Sequence, residues 1–113
     1  MRYFALSLLA ILLASCASSR VEERRAEYVS NYDLDKQTER AIRDGRVLQG
    51  MYPEEVFASI GEYDRRNTTV AGQSRQVQLV YEVGRTGQAY VYLDGSNRVV
   101  GYQNICQLPF SCR

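Results

Sequence analysis

Histidine and tryptophan are absent from this chain, and Lys36 is its single lysine. Without histidine there is no Ser-His or Cys-His nucleophile pair, no general base of the commonest kind and no imidazole metal ligand. Serines are plentiful, but no base partners them. Clustered charge is lacking too: 14 basic residues stand against 13 acidic ones, interspersed along the chain. That balance argues against nucleic acid as a partner, because phosphate binding needs a concentrated basic face. The composition points to a protein that is not an enzyme, with no metal, cofactor or small-molecule substrate expected.

Long apolar runs are missing except at the start. Tyr3 to Ala14 is apolar apart from Ser7, with Met1 and Arg2 before it and the small residues Ala14 and Ser15 directly before Cys16. The run is about a dozen residues, short of the roughly 20 that span a hydrocarbon core. A basic start, an apolar centre and small residues at the end form the grammar of a secretion signal over residues 1–15. Its removal leaves residues 16–113, enough for one small domain, and takes Arg2 away so that basic and acidic residues balance.

Leu13-Ala14-Ser15-Cys16 resembles the bacterial lipobox. The resemblance implies cleavage before Cys16 and attachment of diacylglycerol and palmitate-like chains to it. One acyl chain holds a protein only marginally, whereas two or three make a durable anchor. The membrane is then a partner through lipid, with residues 16–19 as a leash. The alternative is a secreted protein with Cys16 as a spare thiol, a liability in an oxidising compartment. Ala17 stands where an Asp retains such proteins in the inner membrane, so the resemblance places this one at the outer membrane, facing the periplasm.

Cys106 and Cys112 remain as an even pair in an exported chain. A structural disulfide between them would close a short loop around Pro109 and Phe110, contributing about 2 to 3 kcal/mol through loop-closure entropy. The alternative is a metal or redox pair, although C-x5-C is not a redox spacing and no further ligands are visible.

Along the mature chain, Arg20 to Ser30 has helix-favouring composition, oppositely charged residues three and four apart, and a thin apolar stripe of Val21, Tyr28, Val29 and Tyr32. Asp33 or Asp35 can cap a second helix over Lys36 to Asp44, with Ala41 and Ile42 buried, Leu34 as a staple and Gly45 as terminator. A third helix starts at Pro53, with Glu54 and Glu55 complementing its dipole, Val56, Phe57 and Ile60 inward, and Gly61 ending it. Glu62 to Ser74 turns polar and reads as a loop of about a dozen residues, long enough to suggest a purpose. Within it, Asn67-Thr68-Thr69 fits a glycosylation sequon, expected to carry no meaning in a bacterial lipoprotein. Three strands follow over 75–83, 88–93 and 98–105, joined by Gly84-Arg85-Thr86-Gly87 and Asp94-Gly95-Ser96-Asn97, with Gly101 a candidate bulge. The expected fold is α+β, two or three short helices packed on a three-stranded antiparallel meander over residues 20–113.

Several of these pieces resemble the SmpA/OmlA domain of bacterial outer-membrane lipoproteins, the family that includes the small lipoprotein subunit of the barrel-assembly machinery. They are Ala41-Ile42-Arg43-Asp44-Gly45, Gly50-Met51-Tyr52-Pro53-Glu54-Glu55-Val56, Ser59-Ile60-Gly61, Tyr90-Val91-Tyr92-Leu93-Asp94-Gly95 and Arg98-Val99-Val100. Gly50 reads as allowing a close approach to the third helix. Tyr52 stands where the family carries a small hydroxyl cap, and Glu62 where it carries proline. The resemblance implies a relative of the assembly subunit and an envelope protein as partner.

Tyr81, Tyr90, Tyr92 and Tyr102 form a candidate interaction surface, since tyrosine gives contact area at low entropic cost, with core packing as the alternative for strand aromatics. Glu54-Glu55 is no acid/base pair, because adjacent helical residues do not face each other. Arg24-Arg25 and Arg65-Arg66 read as solvated surface, with anionic lipid contact the alternative. The function expected is a non-enzymatic, lipid-anchored module that binds an envelope protein in outer-membrane assembly or integrity, through the sheet face or the 62–74 loop. The alternative is an inhibitor-like or ligand-binding periplasmic domain acting on an envelope enzyme or a cell-wall component.

Overall fold

Helix signals in the sequence resolve first. The computed structural model describes residues 19–113, so the signal segment and Cys16 lie outside the described residues. Residues 19–31 form helix α1. Helix α2, Lys36–Asp44, begins where the Asp35 carboxylate accepts the Thr38 N–H at 2.7 Å and ends at Gly45 in the left-handed conformation, φ +70°. Helix α3, Pro53–Ile60, starts with proline, and the Glu55 carboxylate reaches back to accept the Tyr52 N–H at 2.8 Å. That contact is one half of a capping box; the other half, a small hydroxyl at position 52 accepting the Glu55 N–H, has no counterpart in the Tyr52 side chain. Gly61 closes the helix by donating to Phe57 C=O at 2.9 Å.

The sheet is antiparallel in the order β1-β2-β3-β4, with β1 Arg65–Ala71, β2 Ser74–Val83, β3 Gly87–Leu93 and β4 Val99–Gln103. It has four strands where three were expected. The expected loop of 62–74 is mostly β1, folded back on β2 through Gly72-Gln73 with Ala71 opposite Ser74. All seven β1 residues are exposed, so neither face carries the apolar alternation that marks a half-buried strand. A register shift between Tyr92 and Leu93 sets Gly101 and Val99 opposite them, leaving Val100 as the extra residue of a bulge.

One face of the sheet is covered by helices. Ala41, Ile42, Val47, Met51, Val56 and Ala58 form a single core with Val77, Leu79, Tyr81, Ala89, Val91, Leu93, Val99 and Ile105. Gly50 contributes differently from its expected role. A Cβ there would meet nothing within 4 Å, and its φ of +87° is what calls for glycine.

Beside this core sits a buried guanidinium. Arg25 is 2% exposed, a correction to its reading as solvated surface. Its Nε donates to Ser59 C=O at 3.0 Å and its Nη2 to Phe110 C=O at 2.7 Å. Arg24 Nε donates to Ala58 C=O at 3.3 Å. The last four carbonyls of any helix lack partners inside it, and the C-terminal end attracts positive charge. Helix α3 has no basic residue in its own last turn. Two arginines of α1 therefore cap it from outside. Ser59, fully buried, also donates its hydroxyl to Arg46 C=O at 2.6 Å, tying α3 to the turn after α2.

The C-terminal tail closes on the same point. Cys106 and Cys112 are joined as a disulfide, with Cα atoms 5.2 Å apart. Cys112 N–H donates to Gly45 C=O at 3.1 Å and Arg113 N–H to Asp44 C=O at 2.8 Å. A Cβ on Gly45 would collide with the Arg25 Nη2 and lie 2.8 Å from Phe110 O. Glycine at 45 is thus required both by backbone sign and by space. Burial pulls the Arg25 pKa below its ordinary value, with the charges of Arg24 and Arg113 acting the same way. Arginine nevertheless stays protonated in proteins.

Three variants test these contributions to stability. Arg25→Ala removes both charge-assisted hydrogen bonds and leaves the Ser59 and Phe110 carbonyls unpaired, lowering unfolding free energy by about 2 to 4 kcal/mol in urea titrations. Arg25→Lys recovers only part, because one ammonium cannot present the same planar fork to two carbonyls. Asp35 has its pKa held below the ordinary carboxylate value, first by the Thr38 backbone N–H and then by the Thr38 hydroxyl. A depressed carboxylate pKa stabilises the fold above the unfolded-state pKa and ceases to do so as pH falls through the folded-state value. Thermal melts of Asp35→Ala and the parent chain will differ at neutral pH and converge in acid.

Candidate interaction surface

Alternation along a strand decides which tyrosines can act together, since successive side chains point to opposite faces. Tyr81 pairs with Ala89, and Tyr102 with Val91, which places both tyrosines on the helix-covered face. Tyr90 pairs with Val80 and Gln103, and Tyr92 with Gln78 and Gly101, which places them on the open face. The four tyrosines of the candidate surface therefore divide into two pairs on opposite sides.

Tyr81 belongs to the core, 3% exposed, and its hydroxyl donates to Gly61 C=O at 2.9 Å. Burial, more than its acidic neighbour Asp64, raises the phenol pKa above its ordinary value and keeps the donor protonated. Tyr102 is 46% exposed at the rim of the covered face. It lines a polar depression with Leu48, Gln49, Gly50 and Arg98.

The open face is organised around Tyr90 and Tyr92, which stack with ring centroids 6.2 Å apart. Both are half-buried. Amides join the rings to their neighbours across strands. Asn67 donates to Gln78 at 3.0 Å, Gln78 to the Tyr92 hydroxyl at 3.4 Å, and that hydroxyl to Gln103 at 3.2 Å. A second chain runs from the Tyr90 hydroxyl to Gln88 and from Gln88 to Glu82 at 3.4 Å. Glu82 in turn pairs with Arg65 at 3.4 Å. Beneath these groups Val80 is 1% exposed, lying in register between Arg65 and Tyr90. Charge is thus confined to the Arg65 and Glu82 end, while the centre is aromatic and amide.

A second concave feature runs between α1 and α3, a groove of about 530 Å³ lined by Tyr28, Tyr32, Phe57, Glu27, Glu54 and Glu62 among others. Tyr28 and Tyr32 stack there at 4.4 Å. Among the described residues, no group of three or more acidic, cysteine or histidine side chains is placed to hold a metal ion, and no helix is long and apolar enough to cross a membrane.

No family model matches the chain, and no curated protein or solved structure matches it either.

Sequence reasoning missed Arg25, the residue on which three segments converge. A signal was present, since Arg25 completes the Val21, Tyr28, Val29 stripe at helical spacing, four residues after Val21 and four before Val29. The division of the tyrosines was equally accessible from strand parity once register was known. Truncating the Tyr81 hydroxyl tests that division. Tyr81→Phe leaves the Gly61 carbonyl without its donor and lowers stability by about 1 kcal/mol. Tyr102→Phe, at the exposed rim, shifts the urea midpoint far less.

Proposed function

We propose that this chain is a non-enzymatic, lipid-anchored docking module of the bacterial envelope, held through Cys16 at the outer membrane and facing the periplasm. Its docking surface is the open sheet face around Tyr90 and Tyr92, and its partner is another envelope protein engaged in outer-membrane assembly or integrity. The observation that carries this reading is the pattern of that face. Interface centres are depleted in charge and enriched in tyrosine, with polar groups at the rim, and the open face has that composition. The lipobox-like Leu13-Ala14-Ser15-Cys16 supports the anchor, and the SmpA/OmlA-like segments support the setting.

Two tyrosines linked to a cross-strand amide network present a preorganised surface, which reduces the ordering cost of binding. The α1/α3 groove, lined by two stacked tyrosines and three glutamates, favours a second reading as a ligand-binding or inhibitor-like domain.

In-cell photo-crosslinking separates the two. A photoreactive residue at Tyr92 will capture a discrete envelope protein, and one at Tyr28 will not. Capture from Tyr28 alone would move the function to the groove, and capture from neither would leave the docking reading without support. Tyr92→Arg, which places a charge in the amide network, will reduce recovery of that protein at least tenfold while the chain stays folded by circular dichroism.

A further inference from the structure

The two edges of the sheet are treated differently. Along β4 the edge is occupied: Gly50 N–H donates to Val99 C=O at 2.8 Å, Val99 N–H donates to Met51 C=O at 2.9 Å, and the Gln49 amide donates to Val100 C=O at 3.2 Å. The other edge is β1. Ala71 and Ser74 stand directly opposite across the two-residue turn Gly72-Gln73. A pair flanking so short a turn must exchange both of its hydrogen bonds. Alternation then gives Thr69, Asn67 and Arg65 the same bonding to β2, and it directs the N–H and C=O groups of Arg66, Thr68 and Val70 away from the sheet.

Exposed edges are normally guarded by proline, charged side chains (lysine above all), a bulge or inward-pointing charge; in β1 the charge is confined to Arg65 and Arg66 at one end. Over Arg65–Ala71 there is no proline or lysine, and the register with β2 runs without a shift. Its centre is Asn67-Thr68-Thr69-Val70, uncharged and rich in strand-favouring residues. Val70 is 68% exposed, the most exposed of the large apolar residues among those described.

We propose that β1 is a self-pairing edge, at which two copies of the chain join antiparallel about a twofold axis through Thr68 to form one eight-stranded sheet. The outward-facing set is symmetric about that residue. Thr68 meets Thr68 of the second copy, Arg66 meets Val70 of the second copy, and Val70 meets its Arg66. All three outward residues are then paired, giving six backbone hydrogen bonds. Charge selects the orientation. A parallel alignment in register would stack arginine on arginine at 65 and 66, whereas the antiparallel one sets these residues opposite Ala71 and Val70, with no like charges directly facing. The same arrangement lays the aliphatic stem of Arg66 along the exposed Val70. The edge lies apart from Tyr90 and Tyr92, so this pairing and the docking reading can fail separately.

Cysteine crosslinking in the full-length chain, in bacterial membranes, tests the axis. Directly opposed, hydrogen-bonded residues have Cα atoms about 5.5 Å apart, within disulfide reach. Thr68→Cys will therefore give a species of twice the chain mass under mild oxidation. Val70→Cys alone will not, but co-expressed with Arg66→Cys it will. Equal crosslinking of Thr68→Cys and Val70→Cys would overturn the register. A Thr68→Cys adduct of any other mass would assign the edge to a strand of a different protein, and absence of any adduct would leave it unpaired; each overturns self-pairing. Thr68→Pro removes an outward N–H without touching a β1–β2 hydrogen bond. It will raise the dimer dissociation constant of the detergent-solubilised chain at least tenfold, while circular dichroism reports an unchanged fold; an unchanged constant would overturn the proposal.

Discussion

Helix α3 ends inside the protein, and its last carbonyls need donors. The tertiary arrangement follows from how that need is met. Gly61 serves Phe57 locally, while Arg24 and Arg25 reach across from α1 to serve Ala58 and Ser59. Because Arg25 also donates to Phe110, one guanidinium binds α1, α3 and the disulfide-closed tail together. Burying a cation without a carboxylate partner is costly. Here the compensation comes from carbonyl dipoles, including those at the negative end of a helix. Gly45 is the spatial counterpart of the same arrangement, since a side chain there would displace the guanidinium.

From that junction the sheet divides into structurally distinct regions. The helix-covered face is a conventional apolar core in which Tyr81 uses its hydroxyl to satisfy Gly61. Among the described residues the opposite face carries no helical cover, and its inward packing is limited to Val80 beneath longer neighbours. Its tyrosines and amides are joined to one another by hydrogen bonds, which restrains the side chains without removing them from solvent. One edge is closed by residues 49–51 and the other is left with three residues' backbone groups directed outward. The half-buried aromatic centre and the open β1 edge are separate features, one built of side chains and the other of backbone.

The legible parts of the fold share a physical property: each is encoded by local geometry. The Asp35 cap, the left-handed Gly45, proline at the start of α3 and the carboxylate turn at Asp94 all act within four residues. The α2 boundaries at Lys36 and Asp44 match expectation for that reason. Strand β2 was readable because Val77, Leu79 and Tyr81 alternate with polar residues. β1 was not, because a strand exposed on both faces has no apolar period to display. The candidate site was legible as a set of tyrosines but not as a surface. Parity places Tyr90 and Tyr92 together only once the register with β2 and β4 is established.

By itself the sequence determined the three α-helices, the turns at 84–87 and 94–97, the α+β class and the pairing of Cys106 with Cys112, since each follows from short-range sterics, capping or cysteine arithmetic. Only the tertiary structure decided that Arg25 is buried, that Glu62 to Ser74 contains a fourth strand, and that four tyrosines serve two faces. Those outcomes depend on which carbonyls, strands and side chains arrive from distant parts of the chain. A local pattern records the face an element turns inward, but it does not record what meets that face.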